Sequence, residues 1–302
     1  MISLVNDNIL ESMNHFLFIF NVSQMTDVQN VLYIKEWMSK EPHLPSDLDD
    51  VVITKFLHSC YGSLEKTKKC IDNFCSTRSR LSEIYTLRDP LSPNVQTALS
   101  LMVGGTYVCG NTEVIINKFD DATLERFSFF DMLKALCMTM DYWIQYQPYL
   151  LDEHLLVVDM TNITMKIIPK LNIMYLRDFI VFLLQGVPVR VKRIVAVNAP
   201  SFYDKIYAFI KPVLPAEVCD IIHFYTDYKS LHKIVDKKHL PIEYGGEGQS
   251  IYEQNQEWIQ NLEKNRQMFL NDDMWKADMK KKMKSSAQDN TMNGSFRTLH
   301  ID

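Results

Sequence analysis

The stretch that decides the fold runs from Val187 to Gly246. It opens with V-P-V-R-V-K-R-I-V-A-V-N-A-P at residues 187–200, continues through K-P-V-L-P at 211–215 and ends with L-P-I-E-Y-G-G at 240–246. Its order is a basic edge, a buried strand, an apolar helix, a second strand and a glycine turn. It contains no catalytic nucleophile, metal-ligand cluster or phosphate-binding loop. The stretch therefore predicts an apolar cavity that is covered by a hydrophobic helix.

The residues before this stretch extend it into a βαβ unit. Leu155–Met160 is a continuous apolar run, which is typical of a strand buried on both faces. A long helical pattern follows at Met165–Leu184, and a second apolar strand is predicted at Ile194–Val197. A strand, a helix and a strand in this order predict parallel strands joined by a right-handed crossover. The fold class is therefore α/β, with a mixed, largely parallel sheet.

Other segments follow from hydrophobic periodicity and from glycine or proline breaks. Tyr107–Cys109 and Val114–Ile116 are predicted strands joined by the turn Gly110-Asn111. Further predicted elements are a helix at 127–145, a helix at 202–213, a strand at 218–225, a helix at 228–235 and a helix at 252–269.

A small helical lobe is predicted before the sheet. Val28, Leu32 and Trp37 are expected to form its first apolar stripe, with Val31 and Ile34 beside it. That helix should end at the Glu41-Pro42 pair, and Ser46 or Asp47 should cap the next helix.

The chain is thus expected to divide into three parts. These are a helical lobe at 1–90, an α/β domain at 91–249, and a C-terminal helix with a partly flexible tail at 250–302. Residues 276–293 are polar and are expected to be mobile, whereas Phe296, Leu299 and Ile301 are expected to dock.

Composition narrows the classes of function. The 302 residues are 47% hydrophobic, which suffices for one sizeable core and a smaller lobe. A formal net charge of −5 argues against a nucleic-acid-binding protein. Only 9 residues are glycine, which disfavours phosphate-cradling loops.

Cysteine usage points to a reducing compartment. The six cysteines are scattered without a C-x-x-C pair: Cys60, Cys70, Cys75, Cys109, Cys137 and Cys219. Such spacing predicts free thiols and a cytoplasmic location.

The N-terminus has an apolar run, H-F-L-F-I-F, at residues 15–20. It resembles a signal-peptide core, but no Lys or Arg precedes Lys35, and the run is too short to span a bilayer. It is expected to form an apolar helix that packs on the protein.

The sequence offers few candidates for catalytic, metal-binding or phosphate-binding residues. Gly245–Gly248 lacks the strand-loop-helix context of a phosphate loop, and His232 and His239 lack the spacing of a metal site. Asp159 ends a buried strand, where some α/β enzymes place a catalytic carboxylate, but a turn-capping role is favoured. No catalytic residue, metal ligand or cofactor site is predicted.

Two features leave alternatives open on residue chemistry alone. Strand alternation places Arg190 and Lys192 on one face. The two cations could contact anionic lipid, or they could form a solvated strand edge that discourages strand pairing. The helix at 202–213 is apolar on most faces and lies between Pro200 and Pro212. It would suit a cover over a ligand cavity, although plain burial would require the same composition.

Together these residues resemble the CRAL-TRIO lipid-transfer family, in the branch of tocopherol and retinaldehyde carriers and their insect relatives. The resemblance runs from about Val31 to Gly246 and is carried by the three quoted motifs and by E-W-M-S-K-E-P-H-L-P at 36–45. It implies a helical lobe packed on an α/β lobe, an apolar pocket and a mobile gate helix at Ser201–Val213.

The resemblance also implies site residues. Pocket positions carry over to Leu133, Cys137, Met140, Val158, Phe179, Phe182 and Leu183. Gate positions are Phe202, Ile206, Phe209, Ile210 and Val213, and Arg190 and Lys192 fall at a phosphoinositide-contacting position. The sequence departs from the family pattern at His58, where an arginine is expected, and at Glu217, Cys219 and Ile221, where basic residues are common.

The function predicted on these grounds is binding of a small lipophilic ligand and its transfer to membranes by a monomeric, non-enzymatic cytoplasmic protein. Tocopherol, retinoid, carotenoid and terpenoid ligands would all fit. The alternatives are a membrane-recruited scaffold or lipid sensor with a non-transporting pocket, and a lipid-acting enzyme.

Overall fold

The computed structural model describes residues 28–147 and 149–283. One mixed sheet of five strands forms its centre, in the order β1-β2-β3-β4-β5. The strands are β1 (Met102–Cys109), β2 (Thr112–Phe119), β3 (Glu153–Asp159), β4 (Val191–Val197) and β5 (Ile222–Phe224). β1 and β2 are antiparallel, and every later pairing is parallel, as the sequence predicts.

The helices surround this sheet. They are α1 (28–40), α2 (Asp50–Ser59), α3 (Leu64–Arg80), α4 (Ser82–Tyr85), α5 (Pro93–Leu101), α6 (Phe129–Tyr146), α7 (Ile173–Gln185), α8 (Tyr203–Ile210), α9 (Ala216–Ile221), α10 (Ile251–Lys264) and α11 (Arg266–Leu270). Short 3₁₀ helices occur at Met165–Lys170, Lys211–Val213, Tyr228–Lys233, Lys237–His239 and Ile242–Tyr244.

The predicted turn between β1 and β2 is confirmed. Gly110 has a φ of 60°, the left-handed conformation that glycine adopts without a steric penalty. Both strands extend further than their apolar cores indicated.

In the helical lobe (residues 28–90), Trp37 is the one residue of the predicted α1 stripe that packs against the core. Val31, Ile34 and Met38 are buried, whereas Val28 and Leu32 are exposed. The helix ends before Glu41-Pro42 as predicted, but its apolar residues cover more than one face, so periodicity alone did not select the inward one. The cap of α2 also differs, since Asp49 accepts a hydrogen bond from the N–H of Val52 at 3.0 Å.

Two predicted elements are broken by local chemistry. The helix predicted at Met165–Leu184 is a 3₁₀ turn containing Pro169, followed by α7, whose N-cap is Asn172. Proline lacks the N–H that a continuous α-helix requires. Of the strand predicted at 218–225, residues 218–221 belong to α9, which starts after Pro215, and Ile222–Phe224 form β5 beside β4. The final predicted helix, 252–269, is interrupted at Asn265.

Residues 276–283 of the segment predicted to be mobile include side chains that contact the helical lobe. Ala277 is buried and donates its N–H to the carbonyl of Cys75, while Lys282 pairs with Asp72 of α3. Met274 and Trp275 belong to the same core. The rest of the predicted mobile segment, the docking residues Phe296, Leu299 and Ile301, and the apolar run at 15–20 lie outside the described residues.

The two faces of the sheet differ. On one face, side chains of β2, β3 and β4 join a closed core with the 3₁₀ segments and α10: Val114, Ile116, Leu155, Val157, Val195, Val197, Leu231, Tyr244 and Ile251. The opposite face carries the alternate residues of the same strands.

A buried ion triad joins the helical lobe to the rest of the protein. The Asp141 carboxylate of α6 accepts from Arg78 of α3 at 2.7 and 2.8 Å and from Arg88 at 2.5 Å. All three side chains are at most 1% exposed. The Arg78 guanidinium also lies 4.0 Å from the ring centroid of Tyr85, so aromatic faces share its charge.

We expect Asp141→Asn to lower the free energy of unfolding by about 3–5 kcal/mol, because it leaves two guanidinium groups buried without a counter-charge. Urea denaturation followed by circular dichroism measures the change. Asp178→Asn is the control, since Asp178 lies half-exposed on α7 beside Arg177 and should change stability by less than about 0.5 kcal/mol. Equal stability of the two variants would contradict this account of the triad.

Candidate ligand-binding site

The open face of the sheet is an apolar floor. Ile115, Leu156 and Ile194 lie side by side across β2, β3 and β4 and are half-buried. Val158, in the next row of the central strand, is 41% exposed. A strand buried on both faces was therefore the wrong expectation for β3, because its alternate apolar side chains do not join the closed core.

Helix α6 lies over only part of this face, on the side of β1 and β2. Trp143 donates its indole N–H to the Glu113 carboxylate of β2 at 3.0 Å, which places α6 over the Glu113 and Ile115 side of the sheet. Leu136 and Met140 of α6 are only partly buried. Both pack against the core shared with the helical lobe.

Helix α7 carries a second apolar stripe that the sequence prediction of the pocket did not include. Ile173, Ile180 and Leu184 are half-buried and recur at i, i+7 and i+11, which places them on one side of the helix. They do not belong to the core that holds Phe179 and Phe182. The sequence signal that could have identified these three residues is this second apolar stripe, on a helix that is apolar on most sides.

The seven predicted pocket residues fall into two groups. Four lie in the closed core shared with the helical lobe: Leu133, Cys137, Phe179 and Phe182. Phe182 stacks on Phe74 of α3 with ring centroids 6.0 Å apart, so it faces the helical lobe. Met140, Leu183 and Val158 keep accessible apolar surface. Ligand contact by any of the seven stays a prediction.

The predicted gate comprises α8 and the 3₁₀ turn Lys211–Val213. Ile206 is buried with Leu124 and Ile167, and Phe202 and Ile210 pack against this small cluster. On another side of the helix, Tyr203 stacks on Phe224 of β5 with centroids 4.8 Å apart, and Tyr207 contacts the same ring. Val213 is half-buried, and Phe209 is 41% exposed. The helix is thus held by a few small contacts.

The two predicted membrane cations do not share an exposed face. The Arg190 side chain is 9% exposed and pairs with Asp152 at 2.6 Å, whereas Lys192 is 54% exposed and lies 3.4 Å from Glu153. The register shift beside His154 interrupts the alternation on which the prediction depended.

Arg190 instead holds the helical lobe. Its guanidinium donates to the backbone carbonyls of His58 and Ser59 at the end of α2 and lies 3.8 Å from the ring centroid of Tyr61. We call this set of contacts the Arg190 clamp. The clamp therefore engages a cation that the family resemblance assigns to phosphoinositide contact.

A buried polar network lies behind the Arg190 clamp. The Nδ1 of His154 accepts the backbone N–H of Arg190 at 3.1 Å, and its Nε2 lies 3.5 Å from the Glu113 carboxylate. Desolvation lowers the pKa of His154 to about 4 and raises the pKa of Glu113. Lys55 donates to the carbonyl of Trp143 at 2.8 Å, and burial lowers its pKa to about 8.

Asp159 caps a turn, as the sequence predicts. Its carboxylate accepts from the N–H and hydroxyl of Thr161 at 2.9 and 2.6 Å, from Asn198 at 3.0 Å and from the Tyr244 hydroxyl at 2.8 Å. A polar cleft of about 210 Å³ adjoins it on the closed side of the sheet, with Lys118 at its edge. The hydrogen bonds of Asp159 thus connect the ends of β3 and β4 to the L-P-I-E-Y-G-G segment.

Exposed lysines surround the gate. Lys166 and Lys170 lie on the 3₁₀ turn that contacts α8, and Lys205 and Lys211 lie on the gate itself. Among the described residues, none of the four forms an ion pair, in contrast to Arg190. Met165 on the same 3₁₀ turn, Met174 on α7 and Phe209 on α8 are exposed and add apolar surface.

Within 28–147 and 149–283, no helix combines the length and apolar character needed to cross a bilayer. The same part of the chain contains no group of three His, Cys, Asp or Glu side chains that could hold a metal ion.

Comparisons with known proteins agree with this architecture. Residues 24–95 match the model of the Pinta-like UBA domain, and residues 110–246 match that of the CRAL/TRIO domain. The human protein named alpha-tocopherol transfer protein-like is 23% identical over 226 residues, which cover 72% of this chain and 65% of the relative. Clavesin-1 of Xenopus laevis is 30% identical over 122 residues, covering 40% of this chain and 37% of the relative.

The match therefore spans just under two thirds of the length of the alpha-tocopherol transfer protein-like relatives. Among solved structures, Sfh5 aligns over 80% of this chain and 97% of its own, with 13% identity and a TM-score of 0.48.

His154 predicts a pH dependence of stability. Its folded pKa of about 4 lies below the unfolded value of about 6.5, so its contribution is complete above pH 6.5 and is lost as the pH falls toward 4. We expect the loss at pH 4 to be about 3 kcal/mol. His154→Asn, which keeps an acceptor for Arg190, should flatten the slope of unfolding free energy between these pH values.

The matched control is His223→Asn, because His223 is exposed on β5. It should leave the slope of the parent unchanged. If His154→Asn also kept the parent slope in chemical denaturation at each pH, the imidazole would not be buried in its neutral form.

Proposed function

The chain carries a CRAL/TRIO domain over residues 110–246, and on this premise we propose that it binds a small lipophilic ligand on the apolar floor and releases it at membranes. One observation carries the proposal: Val158, near the C-terminal end of the central strand β3, is 41% exposed. Apolar side chains at the centre of a sheet are normally covered, so this surface suits an apolar ligand.

The free energy available is sufficient for a carrier. Covering about 400 Å² of apolar ligand surface offers up to about 10 kcal/mol before ordering costs, at roughly 25 cal/mol per Å². Binding of this kind needs no catalytic group, which agrees with the structural role of Asp159. Relatives named alpha-tocopherol transfer protein-like favour a ligand of the tocopherol class.

The gate is proposed to be α8. Its contacts are divided between the Ile206 cluster and Phe224, so the helix can move without opening the core around Asp141. Its exposed Phe209 would then contact lipid first.

Docking is proposed to use the exposed lysines around the gate, with Arg190 left in the Arg190 clamp. Lys205 and Lys211 are exposed beside Phe209, and anionic lipid attracts each such cation by about 1 kcal/mol. Glu217 and Asp220 on the neighbouring α9 are exposed and reduce the local positive potential. We therefore expect general attraction to anionic lipid with modest phosphoinositide selectivity.

Two experiments test the proposed function: identification of lipid bound to the purified protein, and substitution of a residue on the apolar floor. Mass spectrometry of an organic extract of the purified protein identifies bound lipid. Val158→Trp should weaken binding of a fluorescent tocopherol analogue at least about tenfold, because the indole fills space above the floor. The cost in stability should be small, since Val158 is partly exposed.

Val51→Trp is the matched control, because Val51 is 49% exposed on α2 of the helical lobe. Unchanged affinity in Val158→Trp, with parent-like folding, would exclude the floor as the binding surface. Affinity retained in both variants together with co-extracted lipid would point to a different site.

Membrane docking is tested by charge reversal at the gate. Lys205→Glu with Lys211→Glu should weaken sedimentation with phosphatidylserine vesicles by a few kcal/mol, and added salt should weaken the parent in the same direction. Solution affinity for the lipophile should barely change. Vesicle co-sedimentation across a salt series measures the effect.

Lys233→Glu with Lys237→Glu is the control, since these exposed lysines make the same charge change on the 3₁₀ segments of the closed face. If both double variants lose vesicle binding equally, attraction depends on net charge and the gate has no special role. If neither loses it, docking uses another surface.

A further inference from the structure

One leucine is fully buried in an otherwise mostly exposed loop beside the gate. The loop, residues 120–128, joins β2 to α6, and Leu124 within it is 0% exposed, whereas both of its neighbours in the chain are exposed. The Leu124 side chain forms a small buried cluster with Ile167 of the 3₁₀ turn and Ile206 of α8. Ile206 is the only buried residue of α8. The Leu124 cluster is therefore the place where the gate is most firmly seated.

The backbone at Leu124 has an unfavourable conformation. Its φ is 57°, in the left-handed region that a residue with a Cβ enters at a cost. Such a conformation persists only where the surrounding structure fixes it, and residues of this kind are concentrated at clamps and switches. Leu124 therefore requires a local interaction that holds its turn.

The carboxylate of Asp121, which is buried, supplies that interaction. It accepts the N–H and the hydroxyl of Thr123 at 3.1 and 2.6 Å and the N–H of Arg126 at 3.3 Å. The backbone carbonyl of Asp121 also accepts the N–H of Leu124 at 3.3 Å. These bonds fix the turn on both sides of Leu124, so the loop holds the leucine side chain in one position.

Both ends of the loop are attached to the rest of the protein. Phe119, which ends β2, and Phe127, which precedes α6, meet edge to face with ring centroids 5.4 Å apart, and both pack against the Leu124 cluster. The Asp120 carboxylate accepts a hydrogen bond from Asn162 at 3.1 Å, which ties the loop to the segment before the 3₁₀ turn. Movement of α8 would therefore separate Ile206 from Leu124, because the loop cannot follow.

We propose that Leu124 is the latch of the gate: the fixed loop at 120–128 holds it against Ile206 while α8 is closed, and opening requires that this contact separate. The inference rests on the proposed role of α8 as a gate, and it adds the residue that sets how readily the gate opens. Leu124 is a positioning residue, since it acts on a ligand only through α8.

The latch also gives a physical reason for opening at membranes. Separation of Leu124 from Ile206 in solution exposes two apolar side chains to water, which favours the closed position. At a membrane, acyl chains can take the place of water around the Ile206 side chain. Opening there costs less than in solution.

The first test is hydrogen exchange of the delipidated full chain. Leu124→Ala removes most of the latch side chain, so the amides of residues 203–213 should exchange at least about tenfold faster than in the parent. Leu124→Met keeps an apolar side chain of similar volume and should stay within about threefold of the parent.

Leu262→Ala is the matched control, because Leu262 is 0% exposed in a different core, on α10. It should lower the free energy of unfolding without a selective effect on residues 203–213. Circular dichroism of each variant establishes that it is folded.

The second test measures the rate at which a fluorescent tocopherol analogue is released to acceptor vesicles. Leu124→Ala should release it at least about tenfold faster than the parent, and Leu262→Ala should release it at the parent rate. Ile206→Ala removes the same contact from the gate side. The double variant of Leu124 and Ile206 should therefore be little faster than either single variant.

The two tests separate the latch from the proposed function. Faster exchange confined to the gate in Leu124→Ala, in a protein that does not bind the analogue, would support the latch and contradict the proposed ligand. The latch is overturned if residues 203–213 exchange at the parent rate in folded Leu124→Ala, or as fast in Leu262→Ala. It is also overturned if the effects of Leu124→Ala and Ile206→Ala multiply in the double variant. Should Leu124→Ala fail to fold, Ile206→Ala reports on the same contact, and parent-like exchange of its gate would overturn the latch.

Discussion

The buried carboxylate of Asp141 is the constraint on which the arrangement of the protein depends. It holds two guanidinium groups that no water reaches, one on α3 and one before α5. Removing these charges from water is costly, so the triad is stable only when all three partners meet. This requirement fixes α6 against the helical lobe, and the opposite side of α6 is thereby directed over the sheet.

A consequence is that the two faces of one sheet have different roles. The face that contains Val157 is closed by α10 and the 3₁₀ segments, while the face that contains Val158 is left with accessible apolar side chains. The period-2 alternation of a strand makes this division possible, because successive residues serve different environments. The closed face supplies rigidity, and the other face can take a ligand without loss of the core.

Arg190 shows how structural and binding roles compete for the same side chain. A cation in the Arg190 clamp, paired with Asp152 and stacked on Tyr61, has little capacity left for lipid phosphates. The exposed lysines near Phe209, Lys205 and Lys211, keep their capacity to bind lipid phosphates, and they lie on the gate that is proposed to move. The charge that stabilises the lobe contact and the charge proposed to attract lipid are therefore separate.

The sequence by itself determined the α/β class, the β1–β2 turn at Gly110, the parallel order of β3 and β4, and the capping role of Asp159, because these depend on local periodicity and backbone chemistry. It did not determine the inward face of α1, the break at Pro169 or the burial of Arg190. Only the tertiary structure decided those, because α1 and α7 are apolar on several sides and a register shift ended the alternation near Lys192. For the same reason only the tertiary structure showed that Phe182 faces the helical lobe, and that Ile180 and Val158 lie outside the closed cores. Which of several apolar faces becomes covered depends on the element that packs against it.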